Sequence, residues 1–308
     1  MVKFIPVRYA RTEYPHDIKP KIQETAANFF RKTLEKTELP YLSLHTDPAR
    51  RWKKATKDKI LSSELLHEFP AILNNMFHFE DSCVSKLWYN KEWSKDFSGF
   101  LIRLTEGIEH QWVKIIEVHP PFDTYCNSLE TFLERYAIFE EEALKEFPSA
   151  IINIENRCNT AGKRKCGKFL LSTNNDIIKL SKLISKSDLK LKLVVDIPQL
   201  FTEHYGMKLL SKGMIKEVLA PIRDIRDYVS STHIWGNKKQ SDVHSADLNA
   251  HFNNDQRVKD CFLQEVCQLF NDDKARYFIP EVGGVGSIAV QSIVNDLRNA
   301  GIVFVEPK

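Results

Sequence analysis

The sequence lacks the features that mark membrane, secreted or disulfide-stabilised proteins. It has no run approaching the roughly 20 apolar residues that a membrane span needs, and no apolar signal core follows Lys3. Its six cysteines include no CxxC pair, so we expect structural thiols rather than a disulfide framework. These absences predict a cytoplasmic protein with reduced cysteines and no association with membranes.

Linkers, repeats and a strong charge excess are also missing. No stretch is rich in Pro, Ser or Gly, and no repeat period stands out, so residues 1–308 are expected to form a single domain. The net charge of +3 is far below that of a protein that lives on nucleic acid. Any site for a polyanion must therefore be local.

What the sequence does contain is a repeated pattern in which a potential metal ligand follows an extended, strand-like run, although the run before His233 is poor in apolar residues. The pairs are residues 41–44 with His45, 115–118 with His119, 151–154 with Glu155, 191–195 with Asp196, 229–232 with His233, and 277–280 with Glu281. In a parallel barrel or a doubly wound sheet, the carboxyl ends of all strands open on one face. The six side chains are therefore expected to converge.

Amphipathic segments separate most of these strands, which indicates a mostly parallel sheet. A first strand over residues 3–9, irregular at Pro6, and one over either 84–89 or 100–104 bring the count to eight. Eight strands favour a closed (β/α)8 TIM barrel with an insertion around residues 80–107. Helices are predicted over residues 21–39, 60–77, 128–147, 174–184, 212–228, 256–270 and 287–299, and residues 301–307 are expected to add an extended piece.

Mixed imidazoles and carboxylates suit Zn²⁺ or Mn²⁺ better than Mg²⁺ or Ca²⁺, which prefer oxygen ligands alone. A single histidine on such a chain is more often a core or surface residue than a ligand. The chain has 10 histidines, and three of them directly follow three separate predicted strands. Random placement would seldom give this pattern. Their joint placement points to a metal centre.

In these motifs the chain resembles the endonuclease IV group of the xylose-isomerase-like barrel superfamily. The motifs are LSLHTD, VHPP, IENR with the downstream NTAG, VVDIPQ, STHIWGNK, SDVHS and PEVGG. The resemblance implies two or three zinc or manganese ions on the carboxyl face, with Glu155 bridging two of them. The implied metal ligands are His45, His119, Glu155, Asp196, His233, Asp242, His244 and Glu281.

The chain departs from this family at the third metal position. The family has a zinc histidine three residues after the aspartate that matches Asp196, and here that residue is Gln199. Asp242 and His244 would then lack a ligand, unless His204 or His251 replaces it, so a two-metal centre is expected. His78 is an alternative to His45, because the spacing from His45 to His119 is long.

Carried over to chemistry, the resemblance implies an endonuclease that cleaves phosphodiester bonds of DNA, with abasic or damaged sites among its candidate substrates. Glu155 and Glu281 would orient the attacking water. The expected nucleic-acid contacts are Arg50, Arg51, Lys163, Arg164, Lys165, Trp235, Lys238 and Lys239. Each basic cluster also has a simpler interpretation as a solvated loop, and Trp235 as a core residue.

A sugar isomerase or epimerase is the alternative, because relatives with the same barrel hold one divalent ion on a set that Glu155, Asp196, His233 and Glu281 also match. The surplus ligands favour the nuclease, whereas Gln199 and the modest charge weaken it. A third possibility is a binding module without catalysis. The number of bound ions separates the three: two or more for the nuclease, one for the isomerase and none for the module. The role of the aromatic insertion, which could set substrate choice, cover a hydrophobic flank or form a dimer contact, stays open.

Overall fold

The computed structural model describes twelve segments of the 308-residue chain. They are residues 1–11, 21–22, 41–46, 77–78, 84–105, 108–159, 167–206, 208–237, 244–246, 248–252, 254–279 and 286–306. The predicted helix over residues 60–77 lies outside them except for residue 77, and so does most of the one over 21–39. Asp242, Glu281 and all of the basic residues named above as nucleic-acid contacts also lie outside.

Fourteen strands are present within these segments. They are β1 (Lys3–Pro6), β2 (Arg8–Arg11), β3 (Lys21–Ile22), β4 (Leu42–His45), β5 (Phe77–His78), β6 (Val84–Ser85), β7 (Val113–Val118), β8 (Ile151–Glu155), β9 (Lys192–Asp196), β10 (Val229–His233), β11 (Gly236–Asn237), β12 (His244–Ala246), β13 (Ala275–Ile279) and β14 (Val303–Phe304). The α-helices are α1 (Lys91–Leu104), α2 (Leu129–Glu146), α3 (Asn174–Ile184), α4 (Ile197–Tyr205), α5 (Lys212–Leu219), α6 (Leu248–His251), α7 (Gln256–Leu269) and α8 (Gly286–Asn299).

The main sheet closes on itself through the N-terminal stretch. β1 and β2 are separated only by Val7; β1 pairs in parallel with β13, and β2 pairs in parallel with β4. Between these two ends the parallel order is β13-β10-β9-β8-β7-β4. The row of eight parallel segments thus starts at β1 and ends at β2, which are adjacent in the chain. Helices connect most of the eight segments. The fold is a parallel β/α barrel of the TIM type, as the sequence predicted.

The eighth parallel segment is not the one that the sequence offered. Residues 84–85 pair antiparallel with β5 outside the barrel, and residues 100–104 are the last turn of α1. This segment is helical because Trp93, Phe97 and Leu101 recur at helical spacing and are buried together. The extra segment comes instead from the break at Val7 in the predicted first strand, next to the irregular point expected at Pro6.

Other predicted elements differ at their ends. Residues 21–22 form the short strand β3, antiparallel to β2, and not a helix start. The helix predicted over residues 212–228 is α5 followed by the 3₁₀ helix Ala220–Tyr228, with Pro221 at the change of helix type. α4 was not predicted; the Asp196 side chain caps it and Pro198 stands in its first turn, as is typical of helix starts. The remaining predicted helices, in α2, α3, α7 and α8, agree to within one residue.

The strands separate two environments because their side chains alternate between faces. Ile116, Val118 and their counterparts on neighbouring strands join one large apolar cluster that also contains the helices' buried faces. Ile115 faces the other way, with Val7 and Ile279, into the barrel. The interior positions further along the strands are polar, and they include Glu117 and Glu155, both fully buried. The alternation thus delivers ionisable side chains to the barrel's interior at its carboxyl end.

The aromatic insertion covers a flank of the barrel. α1 packs along α2, and the rings of Phe97 and Phe139 stack with centroids 5.0 Å apart. Trp88 lies edge-on to Phe139 at 5.5 Å. Trp88 is fully buried although its backbone has φ +59°, a conformation that costs energy for a residue other than glycine. The insertion is therefore an internal packing element. No α-helix among the described residues is long and apolar enough to cross a membrane.

Phe97→Ala is expected to lower the free energy of unfolding by about 3–5 kcal/mol, since it empties a buried site between two aromatic rings. Denaturant unfolding monitored by tryptophan fluorescence measures this loss. Tyr89→Ala is the matched control, because Tyr89 is 47% exposed and should cost less than about 1 kcal/mol. A loss in Phe97→Ala no larger than that of the control would show that this cluster does not stabilise the fold.

Candidate metal centre

Five of the predicted ligands meet at the carboxyl end of the barrel. His45, Glu155, Asp196 and His233 are the last residues of β4, β8, β9 and β10, and His119 follows β7 directly. All five side chains are buried, with at most 2% of their surface exposed. Of the six strand-end residues, the structure describes five, and the expected convergence is observed for all five.

The tightest group consists of His45, His119 and Glu155. The Nε2 atoms of the two histidines are 3.3 Å apart, and each lies 3.1 Å from Oε2 of Glu155. Ligands bound tetrahedrally at 2.0–2.1 Å from Zn²⁺ would be roughly 3.3 Å from one another. The three atoms therefore already have the mutual spacing of a zinc site with a position left open.

A second group shares Glu155 and adds Asp196 and His233, with one ligand atom from each lying within 4.8 Å of the others. Oδ2 of Asp196 is 3.6 Å from Nδ1 of His233. These two residues lie side by side in neighbouring strands, because β9 and β10 pair Asp196 with His233. The two groups are alternative or adjacent places for a cation, joined by one carboxylate.

The second oxygen of Glu155 is occupied by protein donors. Its Oε1 accepts hydrogen bonds from the Gln199 amide at 2.8 Å and from the Arg157 guanidinium at 2.9 Å. The Gln199 amide also donates to Oδ2 of Asp196 at 2.9 Å. Gln199 thus ties two carboxylates together.

The electrostatics of the site favour an ionised carboxylate beside neutral imidazoles. Burial alone would raise the pKa of Glu155, but the Arg157 charge and the hydrogen bonds with His119 and His45 hold that pKa well below its ordinary value. Burial lowers the pKa of His119 from 6.5 to about 4, and Arg157 acts in the same direction against the opposing effect of Glu155. At neutral pH, both groups are therefore in the protonation states that metal ligands require.

The other predicted site residues are placed less completely. Trp235 is only 5% exposed, and its indole N–H donates to Asp196 over 3.3 Å, so it packs against the site instead of presenting a face to a base. His244 lies in β12 and His251 in α6. His204, in α4, belongs to neither ligand group found among the described residues. Of the two proposed substitutes, His204 therefore does not join the centre, and the side chain of His251 lies outside what the structure describes.

Sequence reasoning missed two charged residues of the centre. Glu117 is fully buried, and its Oε1 lies 3.1 Å from Nε2 of His233 across the barrel. The sequence could have indicated Glu117, because it stands two residues before His119 and residues two apart in a strand lie on the same face. Arg157 likewise stands two residues after Glu155. Neither residue was predicted to belong to the centre, because a charged residue near a strand's end is usually solvent-exposed.

The aromatic insertion is linked to the centre through Trp88. Its indole N–H donates to the carbonyl oxygen of His119 at 2.7 Å, and the Arg135 guanidinium donates to the carbonyl oxygen of Trp88. The packing element thus fixes the backbone at a ligand position. Of the three roles considered for the insertion, covering a hydrophobic flank agrees with this burial.

The fold and the site define this chain as a TIM-type barrel with a candidate metal centre at the carboxyl ends of its strands. No family model matches the chain, and a search of curated proteins finds no significant sequence match.

Several solved structures are similar to it in arrangement. An L-ribulose 3-epimerase is 10% identical with a TM-score of 0.48, and the match covers 97% of this chain and 86% of the epimerase. A xylose isomerase domain protein from Planctomyces limnophilus is 10% identical with a TM-score of 0.44, covering 96% and 95%. The IOLI protein with a bound zinc atom is 12% identical with a TM-score of 0.44, covering 97% and 98%. At these identities and scores, the similarities assign no reaction to this chain.

Proposed function

We propose that this protein is an isomerase or epimerase of sugars that uses a single divalent cation, Zn²⁺ or Mn²⁺. The observation that carries the proposal is the occupation of Glu155 Oε1 by Gln199 and Arg157. A carboxylate that bridges two ions through both of its oxygens would have to give up these two hydrogen bonds. Oε2, which contacts His45 and His119, is then the one oxygen of Glu155 left for a cation.

The charge within the described part of the centre favours a bound cation. Glu117, Glu155 and Asp196 are buried carboxylates, and Arg157 is the one cation paired with Glu155 among the described residues. Among the described residues, three carboxylates against one guanidinium leave a formal charge of −2, which a bound divalent cation would offset. Buried charge that is left uncompensated costs several kcal/mol per ion. The donor set of imidazoles and carboxylates also fits Zn²⁺ or Mn²⁺.

The residues around the ion would perform the proton transfer. When bound, a divalent cation supplies polarisation of a substrate carbonyl or hydroxyl. The low pKa of Glu155 keeps it ionised, the form that binds a cation. In the sugar isomerases that the sequence resembles, two glutamates exchange a proton with the carbons beside the carbonyl, and by that resemblance Glu281 would be the base here. Burial of the centre excludes water from the reacting atoms.

Phosphodiester cleavage in DNA is the second candidate, and one observation favours it. His45 and His119 form a tight group with Glu155 beside the group of Glu155, Asp196 and His233, whereas the one-ion isomerase set makes no use of His45 and His119. If both groups were filled, the centre would resemble the two-metal nuclease. DNA as the substrate then depends on the basic residues at positions 50–51, 163–165 and 238–239.

Metal counting combined with two activity assays tests the proposal. The metal-free protein is titrated with Zn²⁺ and with Mn²⁺, and the bound ions are counted by elemental analysis. The loaded protein is then incubated with a panel of ketoses in D₂O and, separately, with plasmid and with an abasic-site duplex. One ion per chain with deuterium incorporation beside the carbonyl supports the isomerase. Two ions with nicking establishes the second candidate, and no bound ion leaves only a binding module.

Gln199→His is expected to raise the count from one ion to two per chain. The substitution removes an amide that holds Glu155 Oε1 and adds an imidazole at the position where the resembled family has a zinc ligand. Gln199→Leu is the matched control, since it removes the amide without adding a ligand, and it should keep one ion. A parent protein that already binds two ions, or a Gln199→His variant that still binds one, would contradict the role given to Gln199.

A further inference from the structure

Glu117 is a buried carboxylate to which the proposed function gives no role beyond its charge. It lies in β7 on the same face as Ile115, inside the barrel, and none of its surface is exposed. Its Oε1 lies 3.1 Å from Nε2 of His233. β7 and β10 are separated by two strands in the sheet, so this contact crosses the barrel's interior. It is a specific long-range contact, because residues 117 and 233 are distant in sequence.

Sheet stability does not explain this contact. The Oε2 atom of Glu117 is buried and has no hydrogen-bond partner among the described residues. A buried carboxylate with an unsatisfied oxygen is costly. A side chain chosen for packing at this position would be apolar, as Ile115 is two residues earlier on the same face. The contact with His233 is therefore better explained by its effect on the metal centre than by packing.

That effect follows from the two nitrogens of the imidazole. A carboxylate accepts and cannot donate, so Nε2 of His233 carries the hydrogen in this contact. In the neutral ring Nδ1 then keeps its lone pair, and Nδ1 is the nitrogen on the side of Asp196, 3.6 Å from Oδ2. Carboxylates that fix the tautomer of a metal-binding histidine in this way orient the ring and raise its basicity.

We propose that Glu117 is a positioning residue that fixes His233 in the Nε2–H tautomer, so that Nδ1 is the atom offered to a cation held with Asp196 and Glu155. The backbone keeps Glu117 in place, because its carbonyl oxygen accepts from both the amide and the hydroxyl of Thr46, at 3.1 Å and 2.6 Å. The metal part of this inference depends on the proposed function, and the tautomer part does not.

The experiment uses the full chain and two variants. Glu117→Met replaces the carboxylate by an apolar side chain of similar length, and Glu117→Gln keeps a carbonyl acceptor without the charge. In the metal-free parent, ¹⁵N NMR of histidine-labelled protein should show His233 as the Nε2–H tautomer, with the resonance assigned from a His233→Gln sample. Glu117→Gln should preserve that tautomer, and Glu117→Met should give a mixture of the two.

Metal affinity is the second measurement. Titration with Zn²⁺ or Co²⁺ should show affinity reduced about 10- to 100-fold in Glu117→Met, the range for loss of a carboxylate behind a histidine ligand, and reduced less in Glu117→Gln. Glu140→Gln is the control, because Glu140 is also buried but binds Tyr136 and the Lys190 amide away from the centre. It should leave both the tautomer and the affinity unchanged.

The outcomes separate this inference from the proposed function. An Nδ1–H tautomer of His233 in the parent, or a tautomer unchanged in Glu117→Met, would overturn the inference even if ions bind. Unchanged affinity in both Glu117 variants would overturn it as well. A parent that binds no divalent ion would overturn the proposed function, while the tautomer measurement would still decide the role of Glu117. If Glu117→Met does not fold, the comparison of Glu117→Gln with Glu140→Gln carries the test.

Discussion

Glu155→Gln should abolish binding of the divalent cation, with affinity lowered by at least about 100-fold and catalytic activity lost with it. Glu155 is common to both ligand groups. The orientation of the new amide is set by its neighbours: Gln199 and Arg157 both donate to the Oε1 position, so the amide oxygen must remain there. The NH₂ group then faces the Nε2 atoms of His45 and His119 and puts donors where a cation would lie. Removing a metal ligand costs more than the 10- to 100-fold typical of a residue behind a ligand.

Isothermal titration with Zn²⁺ measures the affinity, and the isomerisation assay in D₂O measures the activity. Glu140→Gln again removes a buried carboxylate at a distance from the centre and should keep parental affinity. Circular dichroism and thermal unfolding establish that both variants are folded. Parental affinity in a folded Glu155→Gln variant would remove Glu155 from the metal centre, and with it the proposal of a metal-dependent isomerase.

Acidification from pH 6.5 to pH 4 should destabilise the metal-free protein by about 3 kcal/mol through His119 alone. The folded protein keeps this imidazole neutral down to a pKa of about 4, whereas its ordinary value is 6.5. Between these two pH values the unfolded chain binds a proton that the folded chain does not, so the free energy of unfolding rises with pH across this window. A shift of about 2.5 units at about 1.36 kcal/mol per unit gives the magnitude.

Urea unfolding at a series of pH values measures the dependence in the parent and in His119→Gln. The variant should lack the His119 contribution between pH 6.5 and 4, and the difference between the two proteins should be constant above pH 6.5, which serves as the internal control. Below about pH 4.5, both should continue to lose stability, because Glu155, with its depressed pKa, must then be protonated on unfolding. Equal slopes in the two proteins between pH 6.5 and 4 would show that His119 is not held neutral by the fold.

These predictions depend on residues that the sequence revealed to different degrees. His45, Glu155 and Asp196 each follow a short apolar run, and the geometry of parallel strands places such positions on one face. That reasoning needs only local pattern and a general property of the fold. It therefore located the strand-end residues but not their separations or the hydrogen bonds among them.

The insertion shows where local pattern is ambiguous. Residues 100–104 are apolar enough for a strand, yet they continue the helical spacing of Trp93 and Phe97. The choice between helix and strand was made by burial against α2, a contact distant in sequence. The break of the first strand at Val7 was likewise decided by contacts distant in sequence. β1 and β2 pair with different neighbours, at opposite ends of the parallel row.

By itself, the sequence determined the parallel β/α barrel and the convergence of its described strand-end candidate ligands, because strand period, helix period and the polarity of parallel strands are local or general properties. Only the tertiary structure decided that Gln199 and Arg157 occupy one oxygen of Glu155 and that Glu117 reaches His233 across the barrel. These contacts join strands and loops far apart in the chain, and their distances depend on how the whole sheet curls. The number of ions that the centre can hold depends on those distances.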